Sequence, residues 1–182
     1  MTKVYIIHGW GMDSNMPWIK WLETELKKRK GIEVFALNMP NTIHPKIEEW
    51  VGYLQKNVGI IDDRTYFVGH SIGCQTIMRF LEKLPKSEHI KGCAFVAPWF
   101  DLVGLKDGEV EIAHPWVHSK INPERILQHT GNILAIFSNN DPYVSEKEVE
   151  KFKEFGAKII IKREMGHFDD AKRIDEILEF VK

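Results

Sequence analysis

The sequence predicts an α/β protein: one domain over residues 1–182, built on a doubly wound, mostly parallel sheet of about six strands. Three observations carry this expectation. Short apolar runs alternate with helical patterns from end to end. Those runs are nearly continuous instead of alternating in polarity, as strands covered on both faces require. No Pro/Gly/Ser-rich linker, internal repeat or low-complexity stretch divides the 182 residues, a length that suits one sizeable core.

The elements follow in order. Residues 3–7 form an apolar run that ends in His8-Gly9-Trp10-Gly11. A helix comes next, with Pro17 in its first turn and Trp18, Trp21, Leu22 and Leu26 as its apolar stripe. Arg29, Lys30 and Gly31 mark its end. The second strand covers 33–37. Pro45 opens a second helix, with Ile47, Trp50, Val51, Leu54 and Val58 on one face. The third strand, 65–68, runs into Gly69-His70-Ser71-Ile72-Gly73. A helix over 74–84 then places Ile77, Phe80, Leu81 and Leu84 at helical spacing. Strand four covers 92–97.

From 98 to 121 there is no clear periodicity, yet the segment holds Trp99, Phe100, Leu102, Val103, Leu105, Ile112, Trp116 and Val117. A connection this long serves either as a lid or binding loop, or as an excursion packed by its own aromatics. Asn122-Pro123-Glu124 reads as the cap and first turn of a short helix. Strand five covers 133–137. Ser145 and Glu148 form a capping box ahead of Val149 and Phe152. Strand six covers 158–161, and Ile174, Ile177, Leu178 and Val181 define a last helix. Alternating strands and helices imply a parallel sheet with helices on both faces.

Composition narrows the class. The chain is 43% hydrophobic and 28% charged with a net charge of −1, so neither a nucleic-acid nor a membrane surface is expected. No apolar run approaches the roughly 18 residues that span a bilayer. The chain enters its first strand without a basic and apolar leader, so no secretory signal is expected. Two cysteines, Cys74 and Cys93, are expected as buried, reduced thiols, which fits a cytoplasmic protein.

The chemistry concentrates at G-x-S-x-G, residues 69–73, set between a strand and a helix. In that context the serine sits on a sharp turn as an exposed nucleophile, with the helix N-terminus directed at a developing oxyanion. A serine needs a base. Of eight histidines, His167 lies just after the last strand, at the carboxyl end where open α/β sheets place their sites. His114 and His118 stand four apart, but no third ligand accompanies them, so no metal is expected. The acid that orients the base is Asp141, after strand five, with Asp101, after strand four, as its rival. The order Ser71, Asp141, His167 is the chain order of this hydrolytic architecture.

The early glycines fit the same chemistry. Gly9 and Gly11 begin G-x-G, but Ser14 stands where a dinucleotide loop needs its third glycine, and no P-loop is present. A loop that supplies a backbone N–H to an oxyanion needs less. Trp10 and Ile72 are the expected donors.

With these residues in place, the chain resembles a compact α/β-hydrolase. More narrowly, it resembles the small serine hydrolases related to retinoblastoma-binding serine hydrolase. The matching pieces are IIHGWG, LNMPN, FVGHSIG, NNDPYV and GHF, spread over nearly the whole chain. The resemblance implies a triad of Ser71, Asp141 and His167 in a sheet that lacks the first strands of larger relatives, and it implies no particular substrate. The expected activity is cleavage of an ester, thioester or amide of a small acyl compound through an acyl-enzyme, without cofactor or metal. Trp99 and Trp116 are expected in the acyl pocket. The rival expectations are a protein-binding module on the same fold, and acyl transfer or perhydrolysis by the same triad.

Overall fold

The computed structural model describes residues 1–182. Six strands and seven helices follow in the order β1 (Thr2–Ile7), α1 (Pro17–Lys27), β2 (Ile32–Leu37), α2 (Ile47–Asn57), β3 (Thr65–His70), α3 (Ile72–Leu81), β4 (Gly92–Val96), α4 (Glu109–His118), α5 (Pro123–Leu127), β5 (Ile133–Ser138), α6 (Glu146–Glu154), β6 (Lys158–Lys162) and α7 (Asp175–Phe180). Every strand pairing is parallel, in the order β2-β1-β3-β4-β5-β6. β3, β4 and β5 are buried along their whole length, which is why their sequences are unbroken apolar runs.

The step from β1 to β2 runs one way along the sheet, and the later strands advance the other way. Right-handed crossovers therefore put α1 on one face and α2 and α3 on the other. α1 packs against α7, and α2 against α3. The direction of winding reverses between β1 and β3, and such a reversal opens a crevice at the carboxyl ends of those strands. One continuous hydrophobic core fills both layers and includes Trp18, Trp50, Trp99 and Trp116, each at most 1% exposed.

Several elements differ from their sequence-based expectation. β3 continues to His70, so the turn after it begins at Ser71 itself. A helix, α4, occupies part of the 98–121 segment, where Pro115 in its middle and Gly108 before it (φ +86°) obscure the periodicity. Ser145 caps α6 without a side-chain bond, and the expected capping box does not form. Its partner Glu148 is instead turned into the core, where its Oε2 accepts the Phe100 N–H at 2.6 Å and its Oε1 pairs with Lys151. α3 ends at Leu81 instead of residue 84. Asn122 caps α5 as expected, its Oδ1 accepting from Glu124 N and Arg125 N. Cys74 and Cys93 are free and buried, and burial pushes both thiols up. No helix is long and apolar enough to cross a membrane.

Candidate active site

Ser71 stands between the last residue of β3 and the first of α3, with φ 51° and ψ −117°. A non-glycine residue there carries strain of about 1–3 kcal/mol, which surrounding structure must impose. The flanking glycines show how. A Cβ on Gly73 would stand 2.5 Å from the Ile7 carbonyl oxygen and 2.7 Å from that of His8. One on Gly69 would stand 2.8 Å from the Cys74 nitrogen. Only glycine lets the start of α3 press this closely on the ends of β1 and β3, and the compression leaves Ser71 at the crest.

From Ser71 a hydrogen-bonded line runs across three loops. Ser71 Oγ lies 2.8 Å from His167 Nε2. His167 Nδ1 lies 2.8 Å from Asp141 Oδ2 and 3.0 Å from Oδ1. A carboxylate accepts only, so Nδ1 carries the hydrogen, and Nε2 presents its lone pair to the serine hydroxyl. Asp141 Oδ1 also accepts the N–H groups of Tyr143 (2.9 Å) and Val144 (3.1 Å), so the turn before α6 orients the carboxylate. Its rival Asp101 is exposed and accepts only the N–H of Leu102. The structure thus brings Ser71, His167 and Asp141 together and leaves Asp101 apart.

His167 belongs to a loop with no regular structure, in which Glu164, Gly166 and Phe168 all have positive φ. What holds it is a clasp from the end of β5. Ser138, Asn139, Asn140 and Asp141 each present an oxygen to it in turn. Met165 N donates to Ser138 Oγ (3.0 Å), Glu164 N to Asn139 Oδ1 (2.8 Å), Gly166 N to Asn140 Oδ1 (2.8 Å), and the His167 ring to Asp141. A second brace comes from His70. Its Nε2–H donates to the His167 carbonyl oxygen at 2.7 Å, and the two rings lie 5.1 Å apart. Burial, with the neighbouring His167 adding to it, lowers the His70 pKa to about 3, so the ring stays neutral.

The loop after β1 is tied just as firmly. His8 Nδ1–H donates to the Gly9 carbonyl (2.8 Å), and its Nε2 accepts the Met39 N–H (2.9 Å). Burial holds this imidazole below its usual range and so preserves the tautomer. Ser14 N bonds Asn38 Oδ1, Gly11 N bonds the Thr42 carbonyl, and the Trp10 indole bonds the Ile43 carbonyl. The early HGWG and the later NMPN stretches thus form one unit. Gly9 is confined as well, since a Cβ there would meet His70 Nδ1 at 2.6 Å. The backbone N–H of Trp10 has no partner within the chain. Ile72, as the first residue of α3, has no intrahelical acceptor for its N–H. These are the two donors the sequence singles out.

A cavity of about 290 Å³ opens over Ser71 and His167, walled by Trp10, Gly11, Met12, His70, Leu102, Leu105, Glu109, Tyr143 and Asp169. The 98–121 segment reaches it, but through different residues from those expected. Trp99 and Trp116 are buried and do not line the cavity. The Trp116 indole donates to the Pro45 carbonyl, which anchors α4 to the start of α2. The Trp99 indole donates to Ser71 Oγ at 3.2 Å. Leu102, Leu105, Glu109 and Asp169 have no sequence signature that marks them as wall residues. Asp169 bears no hydrogen bond or ion pair, and burial together with the nearby Asp141 and Asp170 raises its pKa, His167 opposing them. His114 and His118 stack at 4.0 Å on the exposed side of α4, outside this cavity.

The chain is similar to known hydrolases in sequence and in fold. The YdeN protein of Bacillus subtilis (strain 168) is 28% identical over 172 residues, which cover 92% of this chain and 87% of that one. Serine hydrolase RBBP9 of Rattus norvegicus is 24% identical over 186 residues, covering 100% of this chain and 94% of its own. The crystal structure of the B. subtilis ydeN gene product superposes with a TM-score of 0.87 at 24% identity, covering 99% and 98% of the two chains. Est1E from Butyrivibrio proteoclasticus, solved with ferulic acid, shares the fold at a TM-score of 0.71 and 15% identity, covering 100% and 90%. The family model described as serine hydrolase matches residues 4–177. The chain therefore belongs to the serine hydrolase family and is an enzyme of that class on an α/β-hydrolase fold.

Proposed function

We propose that the protein cleaves an ester, thioester or amide of a small acyl compound through a Ser71–His167–Asp141 triad and an acyl-enzyme. The observation that carries this reading is the unbroken line of hydrogen bonds from Asp141 through His167 to Ser71, each step 2.8 Å, ending under an open cavity. Ser71 Oγ attacks the carbonyl carbon while His167 Nε2 takes its proton. Asp141 steadies the imidazolium, and the N–H groups of Trp10 and Ile72 receive the oxyanion. His167 then protonates the leaving group. Water, deprotonated by the same imidazole, releases the acid.

The cavity bounds the substrate. Its volume of about 290 Å³ lies at the small end of ligand pockets. Trp10, Met12, Leu102 and Leu105 give it apolar walls. Two carboxylates, Glu109 and Asp169, border it with no lysine or arginine, which favours neutral or cationic substrates over anionic ones. The reduced, buried thiols accord with a cytoplasmic site of action.

The test uses a fluorophosphonate probe together with chromogenic acyl esters of increasing chain length. The folded protein should be labelled and should turn over short esters, and Ser71→Ala should lose both. Labelling that survives in Ser71→Ala assigns the nucleophile to another residue, and no labelling of folded wild type removes the acyl-enzyme; either result overturns the reading.

A further inference from the structure

We propose that the Trp99 indole is a hydrogen-bond donor to the leaving oxygen of deacylation, a role that rests on the acyl-enzyme reading above. Trp99 Nε1 lies 3.2 Å from Ser71 Oγ, on the nucleophile itself and not on the substrate carbonyl. The side chain is 1% exposed, so this N–H has the serine oxygen as its partner and no solvent to turn to.

The surrounding chain holds that contact in place. β4 ends at Val96, and Ala97 follows with φ 47°, a left-handed conformation that costs an alanine energy. The Ala97 N–H still bonds the Ile136 carbonyl, so the strain is imposed next to a fixed strand end. The chain thereby turns back over α3, where the buried Gln75 Nε2 donates to the Trp99 carbonyl at 2.6 Å. Gln75 is itself held by Arg79, whose Nη2 donates to its Oε1 and to the carbonyls of Trp116 and Ser119. Strain on one side and a buried polar chain on the other fix the indole against Oγ.

The chemistry gives this placement its value. In the free enzyme Oγ is a hydroxyl oxygen that donates to His167 and accepts from Trp99. In the acyl-enzyme it is the alkoxy oxygen of an ester, a poor acceptor. When water attacks, the water proton passes to His167 Nε2 and a tetrahedral intermediate forms. Its collapse breaks the carbon–Oγ bond, the electron pair goes to Oγ, and His167 returns the proton to it. Charge builds on Oγ before that proton arrives, and the indole N–H meets it. Only an interaction that strengthens towards the transition state accelerates a step. The gain is therefore largest for deacylation, where the ground-state contact is weakest, and smaller for acylation, where the hydroxyl already accepts the bond.

Trp99→Phe removes the N–H and keeps an aromatic ring. A version with benzothienylalanine at 99 replaces the N–H by sulfur in a ring of the same shape, and it decides the matter if the phenylalanine variant does not fold. Acetylated enzyme is prepared with p-nitrophenyl acetate and freed of excess reagent, and its decay is followed by intact mass. Acylation is read from kcat/KM for the same ester. The deacylation rate should fall about tenfold or more, with kcat/KM changing by about threefold or less, by analogy with removal of one transition-state donor. A ratio of the two rates equal to that of wild type, or equal losses in both, overturns the proposal and leaves Trp99 a packing residue. If wild type forms no acyl-enzyme at all, the acyl-enzyme reading fails instead, so the two failures are distinct.

Discussion

His70 titrates in the unfolded chain near 6.5 but in the folded protein only near 3. The folded state therefore refuses a proton that the unfolded state takes up. The stability this represents is complete above pH 6.5 and is lost as pH falls through 6.5 towards 3. Each pH unit in that window costs about 1.4 kcal/mol, so the loss attributable to His70 between pH 8 and pH 5 is about 2 kcal/mol. His70→Gln removes the titrating group while leaving an amide N–H able to reach the His167 carbonyl. Urea unfolding followed by circular dichroism, at pH 8, 7, 6 and 5, gives the stability of both proteins. Their difference should change by about 2 kcal/mol across this range, the wild type losing its advantage at low pH. The lowered pKa of His8 contributes an acid sensitivity of the same sign in both proteins. Parallel curves, with a difference constant to within about 0.5 kcal/mol, would show that His70 is protonated in the fold and would refute the argument.

Other outcomes follow from the same geometry. Asp141→Asn should lower kcat by roughly 10²–10⁴, because an amide can stabilise the wrong imidazole tautomer, whereas Asp101→Asn should stay within about tenfold; kcat on one activated ester, with circular dichroism as the folding control, checks both. Gly73→Ala, whose Cβ meets two β1-end carbonyls, should destabilise by about 1–3 kcal/mol in urea unfolding. Gly52→Ala, in α2 with open space at its Cβ position, should stabilise by up to about 1 kcal/mol in the same assay. Asp169→Asn should reduce the preference for a cationic over an anionic acyl ester by about fivefold, and added salt should shrink the wild-type preference; the ratio of kcat/KM values reads it.

The strand ladder and the serine turn were legible in the sequence because each leaves a local mark. Buried parallel strands leave unbroken apolar runs, and the turn needs glycine at 69 and 73 for reasons of space alone. His167 was marked by its place after β6, whereas place alone did not separate Asp141 after β5 from Asp101 after β4. What could not be read was the direction of buried side chains. Trp99 and Trp116 sit in a segment with no periodicity, and composition suggested a pocket wall where the fold buries both indoles in the core. Leu102 and Leu105 form that wall instead, although as isolated leucines in a loop they carry no mark. Ser145 and Glu148 have the spacing of a capping box, but the Phe100 N–H competes for the buried carboxylate and wins it. The four residues from Ser138 to Asp141 likewise gave no hint, since side chains that accept from a distant backbone leave no period to detect.

That clasp couples the chemistry to the least protected edge of the sheet. β6 has a neighbour on one side only, and its burial is partial along its length. The loop bearing His167 begins where this strand ends, and it is held by single hydrogen bonds to Ser138, Asn139 and Asn140, by the His70 brace and by the buried Phe168 ring. Opening of β6 would withdraw the base from Ser71 while β1, β3, β4 and β5 remained paired. Such a partial opening costs less free energy than global unfolding. Enzyme activity would then disappear at lower denaturant than the circular dichroism signal. Amide hydrogens of 159–167 would exchange ahead of those in β3 and β4, so turnover would report on one edge of the sheet and not on the molecule as a whole.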